Sequence, residues 1–218
     1  QVNYQKELEK ILNTLQEKGE AASDYRPPRL FLHSCCAPCS SYCLEYLCRY
    51  FLITVFYYNP NISFSEEYRK RVAEQKRLIA AYNKEEKGWP IDIVEGDYEP
   101  ERFYEMAKGY ENCPEGGERC FRCFDLRLRR TAELAAGGGY DYFATTLTIS
   151  PLKNAAKINE IGQILSGEYG IPWLPSDFKK KNGYKRSIEL SAEYELYRQN
   201  YCGCAFSKAE REAQITNA

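Results

Sequence analysis

Five short apolar runs recur along the chain, and they constrain the fold more than any other feature. They are Arg29–His33, Ile53–Tyr58, Ile91–Glu95, Tyr140–Thr145 and a brief one around Ile171–Leu174. Stretches of helical periodicity lie between them. Leu44, Leu47, Cys48 and Phe51 make one apolar face after Pro38; Tyr68, Val72, Ile79 and Tyr82 make another; Phe124, Leu128, Thr131 and Ala135 a third; Ala155, Ile158 and Leu165 a fourth. Pro100 opens a short helix through Met106, and Ser63 with Glu66 matches a capping box for the long charged helix. Strands joined by helices pair in parallel through right-handed crossovers, so the expected class is α/β: an open, mostly parallel sheet with helices on both faces. A chain of 218 residues is one domain's worth. The expected division is an amphipathic lead-in helix and linker over 1–28, carrying Leu8, Ile11, Leu12 and Leu15, an α/β catalytic domain over 29–207, and a polar tail over 208–218.

In such a sheet, ligands bind beyond the carboxyl ends of the strands. Four polar segments belong there: Ser34–Cys39, Asn59–Asn61, Gly96–Glu99 and Thr145–Ser150. The first holds the densest chemistry. Ten cysteines are many for a chain with a core of this size, and they are clustered: Cys35, Cys36, Cys39, Cys43 and Cys48, then Cys113, Cys120 and Cys123, then Cys202 and Cys204. Secreted disulfide frameworks are spaced otherwise, and a reducing compartment keeps such thiols available, so a cytoplasmic location is expected. No apolar run approaches the roughly 18 residues of a membrane span. Charge is balanced, 30 basic against 31 acidic residues, so a nucleic-acid partner would need a local basic patch.

Cys35-Cys36-Ala37-Pro38-Cys39 lies where a strand turns into a helix, and a helix start stabilises thiolates. Cys35 and Cys36 with Cys120 and Cys123, expected on a loop after Pro114-Glu115-Gly116-Gly117-Glu118, offer four thiolates. These suit a tetrahedral zinc or a cubane iron–sulfur cluster, the alternative being buried small hydrophobes. Cys43 and Cys48 fall on the helix as core residues, while Cys39 and Cys113 stay unassigned. Cys202-Gly203-Cys204 could close only a small strained ring, a reducible two-electron store, or else be inert thiols near a chain end. Lys179, Lys180, Lys181, Lys185 and Arg186 form a basic window suited to phosphates, as do Arg127, Arg129 and Arg130, although a solvated face is the commoner meaning. His33, the only histidine, reads as a core residue.

Leu32-His33-Ser34-Cys35-Cys36-Ala37-Pro38-Cys39-Ser40, Phe56-Tyr57-Tyr58-Asn59-Pro60-Asn61, Pro114-Glu115-Gly116-Gly117-Glu118-Arg119-Cys120 and Tyr197-Arg198-Gln199-Asn200-Tyr201-Cys202-Gly203-Cys204 together resemble the cobalamin-independent epoxyqueuosine reductases, the QueH family. Thr148–Asn154 and Asp177–Gly183 extend the resemblance in family order. It implies a fold similar to nucleotide-binding α/β proteins of the HUP and PP-loop kind. It also implies reduction of epoxyqueuosine to queuosine at the wobble position of tRNA, a [4Fe-4S] cluster on Cys35, Cys36, Cys120 and Cys123, and a redox-active pair at Cys202 and Cys204. An additional mononuclear iron and an unidentified electron donor belong to the same picture.

Removing an epoxide oxygen as water takes two electrons and two protons, so an acid is required; Asp97 and Asp177 are expected for that role by their places at strand ends. Lys179, Lys180, Lys181 and Arg186 are the expected tRNA contacts. An ATP-dependent iron–sulfur tRNA thiolase is an alternative, but the first turn here lacks a glycine-rich phosphate loop. A structural zinc module docking tRNA is the non-enzymatic one.

Overall fold

The computed structural model describes residues 2–216. Four strands, β1 (Arg29–His33), β2 (Leu52–Tyr57), β3 (Asp92–Glu95) and β4 (Tyr142–Thr145), pair in the order β3-β2-β1-β4, every pair parallel. β1 is central, with Leu32 opposite both Val55 and Ala144. Alternation along β1 divides the interior: Leu30 and Leu32 enter one core, and Phe31 enters another. Into the first core pack α1 (Tyr4–Ala21), α2 (Ala37–Leu47) and α3 (Ser65–Lys84), through Leu8, Leu44 and Leu78 among others. Into the second pack α5 (Glu118–Gly137) and α6 (Ala155–Tyr169), through Leu128 and Ile158. The expected α/β class with helices on both faces is the observed one. α4 (Pro100–Ala107) joins β3 to the loop before α5.

The expected fifth strand shrinks to a single bridge between Phe143 and Trp173. Two hydrogen bonds make it, Phe143 N–H to Pro172 O at 3.0 Å and Leu174 N–H to Phe143 O at 2.9 Å. Pro172 carries no N–H to extend the ladder toward the start of β4, and the Ser176 N–H that would extend it the other way is taken by Asn159. Side chains hold the segment instead. Asn159 of α6 accepts from Trp173 Nε1 at 3.0 Å and Ser176 N–H at 3.1 Å, and donates to Ser176 O at 2.8 Å.

Three further differences matter for the site. α5 begins at Glu118, so Cys120 and Cys123 ride its first turns rather than a loop. The capping box at Ser63 and Glu66 does not form; Phe64 is the N-cap of α3, and Ser63 Oγ accepts from Ala205 N–H at 2.8 Å. Two helices not anticipated from periodicity, α7 (Gly183–Glu193) and α8 (Ala205–Thr216), complete the chain. α8 takes up most of the segment expected as a polar tail, whose last two residues lie outside the described ones, as does Gln1 of the lead-in segment.

Gly162 of α6 lets the indole of Trp173 lie against the helix, since a Cβ there would stand 2.3 Å from ring atoms. Gly162→Ala should gain about 1 kcal/mol of helix propensity but lose about 1–3 kcal/mol to overpacking, because Trp173 is buried and tethered. We expect a net loss of about 1 kcal/mol, read from the urea unfolding midpoint; an unchanged midpoint would show the indole free to retreat.

Candidate redox and metal site

The carboxyl end of β1 delivers Cys35 and Cys36 directly to the amino end of α2, where Cys36 is the N-cap and Cys39 completes the first turn. Among the described residues, the sulfurs of Cys35, Cys36 and Cys39 all lie within 4.8 Å of one another. Cys35 Sγ and Cys36 Sγ are 3.9 Å apart. Hydrogen bonds from Cys36 and Cys39 hold the Cys35 thiol well below its ordinary pKa; donating to that thiolate pushes Cys36 up to about 12 and Cys39 well above its usual value. Three sulfurs this close, one of them favoured as thiolate, are a start on a metal-ligand set.

The turn is pinned by backbone. Ser34 N–H donates to Phe56 O, Thr146 N–H to His33 O, and Asn59 Nδ2 to Ser34 O at 2.8 Å. His33 is fully buried between Thr145 Oγ1, 2.8 Å from Nδ1, and Tyr58 O, 3.0 Å from Nε2. Both ring nitrogens are taken, and burial with the nearby Arg127 charge lowers its pKa to about 3. It is a neutral structural residue, as its sequence setting suggests.

α5 supplies the second cysteine pair. Cys120 and Cys123, three residues apart, share one helix face and line a hollow with Cys202 and Cys204. Burial raises both thiols, Cys123 to about 11, and Gly116 N–H donates to Cys120 Sγ at 3.2 Å. This hollow adjoins the cleft lined by Cys35, Cys36 and Cys39; Glu115, Leu152, Lys153 and Cys202 line both.

The Cys202-Gly203-Cys204 loop is moored at several points, all three residues lying between the helices. Arg71, 2% exposed, donates to Cys202 O at 2.9 Å and Tyr201 O at 3.4 Å, and is itself held by Glu67 at 2.7 Å. Gly203 has φ +135°, and a Cβ there would meet Ile62 at 3.0 Å and Arg71 at 3.2 Å, so this position takes glycine for both conformation and space. Ser63 N–H donates to Gly203 O, and Cys202 N–H to Ser207 Oγ, which in turn donates to Glu115 Oε2 at 3.0 Å. Both thiols are free; burial lifts Cys204 to about 12.

Two cations meet these sulfurs without a carboxylate partner among the described residues. Arg127 is buried, and Lys153 lines both hollows. Burial opposes the Lys153 charge, yet Cys202, Cys35 and Cys39 more than offset that and hold its pKa above normal. The donor set and the cations together fit an anionic metal–thiolate group.

Other expected site residues stand elsewhere. Asp97 is exposed in the turn after β3 and lines neither hollow; Asp177 is tied to Lys179 at 2.5 Å and lines neither. Lys181 pairs with Glu9, and Arg186 makes a two-pronged contact to Glu45 at 3.0 and 2.8 Å. With Lys179 already paired, Lys180 and Lys185 are the basic members of that window without an ion-pair partner among the described residues, and none of its five basic residues lines the cleft. The basic residues that do line it are Lys153, Arg198 and Arg211. They are scattered through the chain, so no run announces them; Cys39, by contrast, was detectable from its Cys-x-x-Cys spacing to Cys36. Cys43 and Cys48 are fully buried core residues, as their helical positions suggest, and Cys113 lies in a separate surface hollow.

A parallel α/β sheet with clustered free thiols from three segments beyond its carboxyl edge defines a thiol-based redox or metal protein. Residues 30–210 match the model of the epoxyqueuosine reductase QueH family. The chain is 44% identical over 208 residues to epoxyqueuosine reductase QueH of Staphylococcus epidermidis, covering 94% of this chain and 84% of that one. It is 41% identical to that of Streptococcus pyogenes (94% and 78% covered) and 36% identical to that of Thermotoga maritima (84% and 91%). The chain belongs to the QueH family.

Removing the Arg71 guanidinium would free the Cys202 and Tyr201 carbonyls and leave Glu67 without its partner. Arg71→Met should therefore destabilise the chain by about 3 kcal/mol or more and raise hydrogen exchange at residues 201–204 above that of the sheet. Unaltered exchange in that loop would show its mooring to lie elsewhere.

Proposed function

We propose that this protein is an epoxyqueuosine reductase acting on tRNA: it reduces the epoxide of wobble-position epoxyqueuosine to the alkene of queuosine. The observation that carries the reading is the convergence of the Cys35 turn, the Cys120 and Cys123 face of α5 and the Cys202–Cys204 loop on two adjoining hollows. In this reading Cys35, Cys36, Cys120 and Cys123 hold a [4Fe-4S] cluster, and Cys39 is the sulfur left over for a separately held iron. Bound there, the cluster supplies electrons one at a time.

Cys202 and Cys204 do the two-electron part. Passing from dithiol to disulfide, they release two electrons and two protons, the amounts needed to turn an epoxide into an alkene and one water. An external reductant, unidentified here, restores the dithiol. The segments after β1 and β4 place Cys35 and Lys153 around the same cleft, so the Lys153 ammonium takes the role expected of Asp97 or Asp177: it donates a proton to the departing oxygen. Tyr184 and Tyr201 border the cleft as surfaces on which an unstacked base can lie, and Arg198 and Arg211 are placed for phosphates. Thiols raised by burial must lose protons to bind metal, so loading weakens as pH falls.

Anaerobic purification with iron and sulfide analysis, followed by single-turnover reduction of epoxyqueuosine-tRNA, tests the reading. We expect a brown protein that forms queuosine; a colourless, zinc-bearing protein without turnover would overturn it. Lys153→Met should keep the iron and slow turnover by about 10²-fold or more, in line with loss of a general acid, whereas Asp97→Asn and Asp177→Asn should leave the rate within about twofold, as expected of residues that touch no reacting group.

A further inference from the structure

Three arginines rank among the largest fully buried side chains: Arg71, Arg119 and Arg127. Arg71 meets Glu67, and Arg119 meets Glu210 at 3.3 Å. Arg127 meets no carboxylate among the described residues. One helical turn beyond Cys123, it donates from Nε to Cys123 O at 3.2 Å and from Nη1 to Asn59 Oδ1 at 3.4 Å; Nη2 is buried and has no partner. Its guanidinium lies 5.7 Å from the centre of the Phe124 ring, a weak compensation.

A guanidinium withdrawn from water without an anion costs several kcal/mol. His33 beside it is neutral, and Lys153 is a second cation. Arg127 lines one hollow with the thiols of Cys120, Cys123, Cys202 and Cys204, and the carboxylate that also lines it, Glu115, accepts from the Ser207 hydroxyl rather than from Arg127. Asn59 fixes the orientation: its Oδ1 accepts from Arg127, and its Nδ2 donates to Ser34 O at the end of β1. The side chain is therefore aimed from one cysteine wall toward the other.

We propose that Arg127 is the fixed counter-cation of the cysteine site, a positioning residue that stabilises the negative charge gathered when thiolates bind iron. A standing positive charge beside an iron–thiolate group favours its reduced, more negative form. Any divalent metal held by these thiolates gathers the same negative charge, so the inference rests on the proposed function only where iron is the metal.

The test compares Arg127→Met with Arg127→Lys, which keeps the charge. In iron-loaded protein, redox titration should show the Arg127→Met potential shifted negative of wild type and the Arg127→Lys potential between the two. In metal-free protein kept without air, titration with Co²⁺ alone, followed by thiolate-to-cobalt charge-transfer absorbance, should show binding weakened by about threefold or more in Arg127→Met and mostly kept in Arg127→Lys. Equal potentials and equal Co²⁺ affinities in all three proteins would make Arg127 a packing residue and overturn the inference. Should wild type take up no iron, the cluster reading falls, while the Co²⁺ comparison still decides the role of Arg127.

Discussion

Parallel pairing of β1 between β2 and β4 is the constraint on which the rest depends. It turns three carboxyl ends toward one edge, so the segments after His33, Tyr57 and Thr145 must meet there. Ser34, Asn59 and Thr146 make that meeting concrete: each bonds across to a neighbouring strand end or its turn. The cysteine turn inherits its position from this lattice. Its three sulfurs are close because Cys35 and Cys36 leave an extended strand and Cys39 returns one helical turn later.

The helical parts close the site from outside the sheet. α5 brings Cys120 and Cys123, and the loop before α8 brings Cys202 and Cys204 to the same place. Arg71, Arg119 and Arg127 act as long internal struts between these pieces. Arg71 and Arg119 reach backbone carbonyls of loops, at 201–202 and 110–113, which satisfies groups that a buried loop would otherwise leave bare, and Arg127 ties α5 to Asn59 beyond β2. The Ser63 hydroxyl does similar work for Ala205, and that is why it is unavailable to cap α3.

Strand positions were legible because their apolar runs are short and bounded by turn residues, and β1, β2, β3 and β4 fall within two residues of where the pattern puts them. The segment at Trp173 reads as a strand on its apolar run, but Pro172 within that run and the Asn159 bond to Ser176 N–H limit it to one bridge. α7 and α8 bury mainly small residues, Ser187 and Ser191 in the one and Ser207 in the other, so no row of large apolar side chains marked them out. The cysteine groups were visible as spacing, but whether Cys120 and Cys123 ride a loop or a helix turned on where α5 begins, and Gly116-Gly117 before Glu118 was read as loop throughout. The basic window misled for a different reason. Charge runs record composition, whereas availability depends on partners such as Glu9 and Glu45 that lie more than a hundred residues away in the chain.

The field of the site also sorts its neighbours. Gathered thiolate charge disfavours the ionised form of a carboxyl beside it; Glu115, which lines both hollows, accepts from the Ser207 hydroxyl, and Asp97 and Asp177 lie outside the lining. Cations are favoured in that field. Lys153 keeps its charge because the sulfurs around it offset its burial, and it lines both hollows. In the proposed reaction that one arrangement would both stabilise bound thiolates and keep a proton within the cleft: an ammonium held this firmly is a weak acid toward water but a competent one toward an alkoxide-like oxygen, which would confine proton transfer to the moment the carbon–oxygen bond opens.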